Sequence, residues 1–179
     1  MQLTRAADYA VRVTMHLATL GPQEHASRSV LAAATGAPES FLSKILQSLA
    51  RAGLVVSRRG GEGGFTILPR GRSASLLEVI EAIDGPISLN VCLAEGAACD
   101  NQPWCAAHLV WVQAQRAMLD ILSSAKIAEL STRAVARKAG AKDAARAAQS
   151  APGRAQTTTR ILDRATSGTP RPRPRVKRS

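Results

Sequence analysis

Apolar and polar positions along the chain fall into short helical periods, interrupted once by two strand-like runs. Ala7, Ala10, Val11, Thr14, Leu17 and Ala18 recur at spacings of three and four behind Thr4, a good N-cap residue, until Gly21-Pro22 stops the run. A second, shorter helix is predicted over 29–35, with Ser29 as its cap and Val30, Leu31 and Ala34 facing inward. Thr35-Gly36-Ala37-Pro38 reads as a tight break in which Gly36 ends one helix and Pro38 opens the next. The helix predicted over 39–52 carries Leu42, Ile45, Leu46 and Leu49 on one face. Its other face holds Ser40, Ser43, Lys44, Gln47 and Arg51, and Gly53 closes it.

Two short helices about a four-residue turn, the second with a polar and basic outer face, match a helix-turn-helix. Any small helical bundle with a wet face would show the same pattern, so the next stretch of chain decides between them. Leu54–Ser57 and Phe65–Leu68 are short strand-like runs, and Arg58-Arg59-Gly-Gly-Glu-Gly-Gly64 lies between them. A Gly-rich loop between two strands is a hairpin with a mobile tip. The loop lacks the Gly-Lys-Ser/Thr ending of a phosphate-binding loop, which argues against a nucleotide site. Helix-turn-helix plus hairpin is a winged helix: the helix at 39–52 would enter the major groove, and the wing would lay Arg58 and Arg59 on phosphates or in the minor groove.

Beyond the hairpin, Ser75 caps a helix with Leu76, Val79, Ile80 and Ile83, ended by Gly85-Pro86. A longer helix is predicted from Trp104 to Ser123, about 30 Å at the usual rise. Trp104, Ala107, Trp111, Ala114, Met118 and Ile121 form one coiled-coil-like seam along it, and Leu109, Val112 and Leu119 a second apolar stripe. One stripe can pack on its own domain; the other is met most simply by a second copy. Lys126–Leu130 reads as a short last helix. The fold class is therefore mostly α with a small β-hairpin wing: a winged helix-turn-helix over 1–74, a cysteine-loop and dimerisation segment over 75–132, and a tail over 133–179.

Charge changes this picture less than its total suggests. The net charge of +11 equals that of residues 133–179, with thirteen Lys/Arg against Asp143 and Asp163. Residues 1–74 carry +5 and residues 75–132 carry −5. The tail is Ala, Arg, Ser, Thr, Gly and Pro with few large apolar residues, so 140–179 is predicted disordered after a helical stub. Its charge implies weak, salt-sensitive attraction to nucleic acid whatever else it does. No stretch approaches the ~20 apolar residues needed to span a bilayer. The first nineteen residues are charged where an export signal would be apolar, which predicts a cytoplasmic protein.

The three cysteines, Cys92, Cys99 and Cys105, fall within fourteen residues of one another. In a cytoplasmic protein this favours soft-ligand metal chemistry over disulfides. The gaps of six and five residues are too wide for a zinc ribbon or finger and suit an iron–sulfur cluster, whose thiolates come from a looping segment. A fourth ligand must then come from elsewhere. Chance clustering of buried cysteines is the competing explanation.

The opening Met1–Arg12, the Phe41-Leu-Ser-Lys-Ile-Leu46 helix, the Arg59-Gly-Gly-Glu-Gly-Gly-Phe65 wing and the three-cysteine loop together resemble the winged-helix regulators that include IscR, NsrR and RirA. The resemblance covers about residues 1–132. It implies a homodimer on a double-stranded DNA operator and, in many members, a [2Fe-2S] or [4Fe-4S] cluster. Cys92, Cys99 and Cys105 would be ligands, with His108 as in IscR-like proteins or Asp8 as in NsrR-like ones in the fourth position. A bland reading stands beside each: Asp8 as an i,i+4 ion pair with Arg12, and His108 as a helix-surface imidazole. The implied function is a transcription regulator, a repressor, whose DNA affinity follows redox, nitric oxide or iron status. A cluster-free thiol switch on the same fold is the alternative, and an iron–sulfur carrier or enzyme a weaker one, because no catalytic set or small-molecule substrate signature appears. On this reading Arg59→Ala lowers the salt slope of DNA binding by about one, measured by titration over a salt series; an unchanged slope would remove the wing from the interface.

Overall fold

The computed structural model describes residues 3–58, 60, 63–96 and 99–150, with the backbone alone over 144–150. Helix α1 (Arg5–Thr19) runs through the middle, its Ala7, Ala10, Val13, Thr14, Leu17 and Ala18 buried. Thr4 caps it as predicted, accepting from the Ala7 amide at 3.1 Å. The same hydroxyl donates to Asp84 at 2.6 Å, which ties the start of α1 to the end of a later helix.

Helix α2 (Arg28–Thr35) starts earlier than the sequence pattern suggested. Ser27, not Ser29, is the N-cap, accepting from the Val30 amide at 3.3 Å, while the Ser29 hydroxyl pairs with Ser27 at 2.9 Å. Gly36 ends α2 in the left-handed region at φ 72°, which a side chain would strain. Pro38 stands immediately before α3 (Glu39–Arg51), as expected, and Leu42, Ile45, Leu46 and Leu49 are the buried face.

Strands β1 (Val55–Arg58) and β2 (Gly64–Ile67) pair antiparallel, Val55 opposite Ile67 and Arg58 opposite Gly64. The segment before α2 adds a third backbone rung, Ala26 exchanging both hydrogen bonds with Phe65 at 3.1 and 2.9 Å. Helix α4 (Pro69–Ser73), absent from the sequence reading, follows at once. Its Gly71 passes close to the backbone of Leu54: a Cβ there would collide with the Leu54 carbonyl. From α4, Arg72 donates to the carbonyls of Ala18 and Leu20 at 2.8 and 2.5 Å, satisfying groups at the end of α1.

Helix α5 (Leu76–Asp84) packs Val79 and Ile80 into the core. Two 3-10 turns, Val91–Leu93 and Gln102–Trp104, lead to α6 (Ala106–Ser124). The long helix thus begins two residues later than predicted, because Cys105 is extended at ψ 103° and breaks the path from Trp104. Its half-buried side chains, among them His108, Val112, Gln115, Leu119 and Leu122, form an inner face. Trp104, Leu109, Val110, Trp111 and Ile121 are exposed. The seam through Trp111 and Ile121 is therefore open, while Leu109 of the second stripe is exposed instead of packed.

Helix α7 (Ile127–Ser150) corrects two expectations: the short helix at 126–130 continues, and residues 140–150 of the stretch predicted disordered are helical. Ile127 is fully buried and anchors it. Beyond that anchor the Ala-, Lys- and Arg-rich composition read as low in core-forming residues is also strongly helix-favouring, so α7 continues along the surface. The tail from 151 to 179 lies outside the described residues.

Ser75 and Glu78 form a reciprocal cap at α5: the Ser75 hydroxyl accepts from the Glu78 amide at 3.1 Å, and the Glu78 carboxylate accepts from the Ser75 amide at 2.8 Å. The bond from the Ser75 backbone, foremost, holds the Glu78 carboxyl below its ordinary value. A depressed carboxyl stabilises the fold above its unfolded-state pKa, and that stabilisation is lost as pH falls through the folded one. Ser75→Ala is expected to cost about 1 kcal/mol at neutral pH in urea titrations. For Glu78→Gln, which leaves the Ser75 amide and hydroxyl in place, the gap from wild type should narrow below about pH 4; a constant gap would show that the carboxylate charge takes no part in the cap.

Candidate DNA-reading surface and cysteine loop

Ser40, Lys44, Gln47 and Arg51 are all exposed on α3, and their spacing of four, three and four puts them on one face. Ser43, half-buried, sits off that face and accepts from the Arg28 guanidinium at 3.0 Å. Arg51 is steadied by a 3.2 Å bond to Ser48. At the base of the wing, Arg58 donates to Gln23 at 2.9 Å. Arg59 lies outside the described residues.

Between the start of α2 and the wing is a groove of about 510 Å³ lined by Ser27, Arg28, Ser29, Arg58 and Gly63 among others. Arg28 and Gln23 belong to this surface, and the sequence reading passed over both. Arg28 was hidden by placing the α2 cap at Ser29; with the cap at Ser27 it falls on the first turn, beside the helix dipole's positive end. A helix start with exposed Ser and Arg, next to a second helix of polar side chains and a basic hairpin, suits phosphates on its edges and base edges at its centre.

Cys92 lies in the 3-10 turn after α5, while Cys99 and Cys105 bracket the next turn. The Cys99 carbonyl accepts from Gln102 at 3.0 Å, and the Cys105 carbonyl accepts from His108 at 3.0 Å. All three thiols are free and half-buried. His108 stands one turn inside α6 with Nε2 3.3 Å from the Gln102 side-chain nitrogen, while Nδ1 is buried without a partner. Asp8 is elsewhere, on α1, in a 2.8 Å ion pair with Arg12. Both partners are half-exposed, so the pair contributes little to stability.

By donor type, three thiols and a buried imidazole nitrogen suit a soft metal group. By position they do not close around one here: among the described residues, no three His, Cys, Asp or Glu side chains stand close enough to hold a metal ion. Among the described residues, no helix is long and apolar enough to cross a membrane.

The profile of the Rrf2 family, described as iron-dependent transcriptional regulators, matches residues 3–133. The chain belongs to the Rrf2 family. It is 33% identical over 130 residues to an HTH-type transcriptional regulator of Mycobacterium tuberculosis, covering 73% of this chain and 81% of that one. NsrR of Geobacillus kaustophilus is 31% identical over 131 residues, covering 73% of this chain and 89% of that relative. Among solved structures, CymR, the global cysteine regulator of B. subtilis, superposes with a TM-score of 0.60 at 23% identity, over 74% of this chain and 98% of CymR. That likeness establishes the fold, a winged helix, as the mostly helical architecture and hairpin also do. This Rrf2 chain is a member of a family of transcription regulators.

For the α3 face, Lys44→Ala and Gln47→Ala are each expected to lower affinity for a specific operator by about 1–3 kcal/mol, with nonspecific binding changed far less. Competition retardation with specific and random duplexes measures both. Equal losses on the two would mean that α3 contacts only the backbone.

Proposed function

We propose that this Rrf2 protein is a homodimeric, cytoplasmic repressor that reads an operator through paired α3 helices and wings. The observation that carries the reading is the single exposed face of Ser40, Lys44, Gln47 and Arg51, flanked by Arg58 and by Arg28 at the start of α2. The open seam of Trp111 and Ile121 on α6 supports a second copy packing there. Two DNA-reading units held by such a helix pair would address half-sites about one turn apart.

The signal input of this reading is the cysteine loop. Cys92, Cys99 and Cys105, with His108 or Asp8 as the fourth ligand, would hold an iron–sulfur cluster. Such a group would supply redox and nitric oxide sensitivity. The loop connects α5, which packs against α3, to α6, so a change in loop conformation bears on the angle between the two DNA-reading units. The buried, unpartnered Nδ1 of His108 favours it over Asp8, whose carboxylate is already paired. A thiol switch without a cluster is the second reading, favoured by free thiols that do not converge among the described residues.

Anaerobic purification and absorption spectroscopy separate the two. The expected outcome is a coloured protein, with Cys→Ala at any of the three positions giving a folded, colourless dimer. His108→Ala, and more weakly Asp8→Ala, should shift the spectrum or hasten its loss. A colourless wild type whose DNA affinity still follows thiol oxidation would decide for the switch. A triple-cysteine variant that regulates DNA as wild type does would remove the loop from sensing altogether.

A further inference from the structure

Away from the wing and the cysteine loop, α1, α2 and α7 enclose an open groove of about 450 Å³, within the range of small-ligand sites. Its apolar walls are Met15 of α1, Ala34 of α2, and Ala134 and Val135 of α7. Its charged and titratable groups are Arg12, His16 and Lys138; the hydroxyls of Thr19 and Thr35 also line it, each donating to a carbonyl of its own helix, and no carboxylate does. The family profile ends at residue 133, so the α7 wall, Ala134 to Lys138, lies beyond what the family match covers.

The electrostatics are one-sided. Lys138 makes no ion pair among the described residues, and Arg12 has only its half-exposed Asp8. Burial, and then the Lys138 ammonium, lower the His16 pKa, so the imidazole serves as a neutral hydrogen-bonding group. An occupant must bring negative charge to Lys138 and Arg12 and an apolar body to Met15 and Val135. The tail of this chain fails that test, since residues 151–179 carry eight Lys/Arg against Asp163 alone.

Arg12 also connects the groove to the DNA-reading surface. Its guanidinium donates to the Thr35 carbonyl at 3.4 Å, next to the left-handed Gly36 that sets the turn between α2 and α3. Its Cζ lies 5.9 Å from the centre of the Tyr9 ring, which meets Phe41 of α3 edge-on at 6.4 Å. An anion competing for this guanidinium would loosen the tie on the turn.

We propose that this groove binds a small organic monoanion with a short apolar body, and that its occupation changes the affinity of the winged helix for DNA. The coupling rests on the DNA-binding reading above; the binding does not.

Calorimetry on the full chain without DNA tests the site, using hexanoate, hexanamide, acetate and inorganic phosphate as probes. Hexanoate is expected to bind with Kd of about 1 mM or tighter, and hexanamide, acetate and phosphate about tenfold more weakly. Lys138→Glu and Ala134→Trp should each lose hexanoate binding about tenfold with unchanged circular dichroism. In retardation assays hexanoate should then shift operator affinity about fivefold in wild type and in neither variant. Equal hexanoate binding by wild type and both variants would overturn the site. So would phosphate binding as tightly as hexanoate, the mark of a DNA-backbone seat, or a change in sedimentation with Ala134→Trp, the mark of a second copy. Binding that leaves DNA affinity unaltered would overturn the coupling. Failure to retard any DNA without hexanoate would instead strike the DNA-binding reading, while calorimetry still judges the groove.

Discussion

The rest of the structure depends on how closely other helices pack on α1. Four of its six buried positions are small, Ala7, Ala10, Thr14 and Ala18, and only Val13 and Leu17 reach far into the core. Small side chains let the surrounding helices approach, and α2, α3, α5 and α7 all contact this one helix. The buried Thr14 hydroxyl spends its donor on the Ala10 carbonyl at 2.8 Å, so it fills the space of a valine without leaving an unmet polar group. A larger side chain at Ala10 would have to push a neighbouring helix away, since interiors of this density have little slack.

That packing fixes the candidate DNA-reading surface. With Leu42, Ile45, Leu46 and Leu49 committed to the core, the other face of α3 has no choice but to point outward. The wing is held from both ends: Ala26 pairs with Phe65 on its outer side, and Arg72 behind it caps α1. Arg70 likewise closes α3, donating to the Ala52 carbonyl. Clamping of this kind holds the exposed side chains of α3 on a fixed backbone, which suits sequence discrimination.

Periodicity made the helices and the hairpin legible because each buries one face. The exposed face of the candidate α3 site was legible for the same reason, its polar residues being what the core leaves over. Details that failed turn on short-range geometry. Two serines could cap α2, and only the path of the backbone through Ala26 to Phe65 selects Ser27. Helix α4, five residues long, is too short to leave a periodic trace, and the requirement for Gly71 comes from its close pass of Leu54, which no pattern along the chain shows. The length of α7 was misread because a composition poor in core-forming residues was equated with disorder, whereas Ala, Lys and Arg carry high helix propensity and Ile127 supplies an anchor. The cysteine loop was legible as a cluster in sequence, but the spatial relation of its donors was not, since no periodic pattern governs an irregular loop.

Charge makes the last step of the synthesis. A net +11 suggests a protein that clings to nucleic acid everywhere, yet the winged-helix half carries +5 and the segment with α5 and α6 carries −5. Each half acts mainly on what lies within a Debye length, about 8 Å at physiological salt. A duplex would be drawn to the face carrying Arg28, Lys44, Arg51 and Arg58 and repelled from the acidic segment. On the proposed reading that repulsion would keep phosphate off the open seam of α6 and would orient the molecule before any base is read. The additional positive charge begins on α7 with Arg133, Arg137 and Lys142, at the edge of the span that the family profile matches and beyond it, while Lys138 faces the groove against α1. It adds attraction without adding discrimination, because point charges on a solvated helix contact phosphates whatever the sequence beneath them. On the proposed reading specificity comes from the few α3 side chains, and the excess basicity of this chain sets how strongly salt governs the rest.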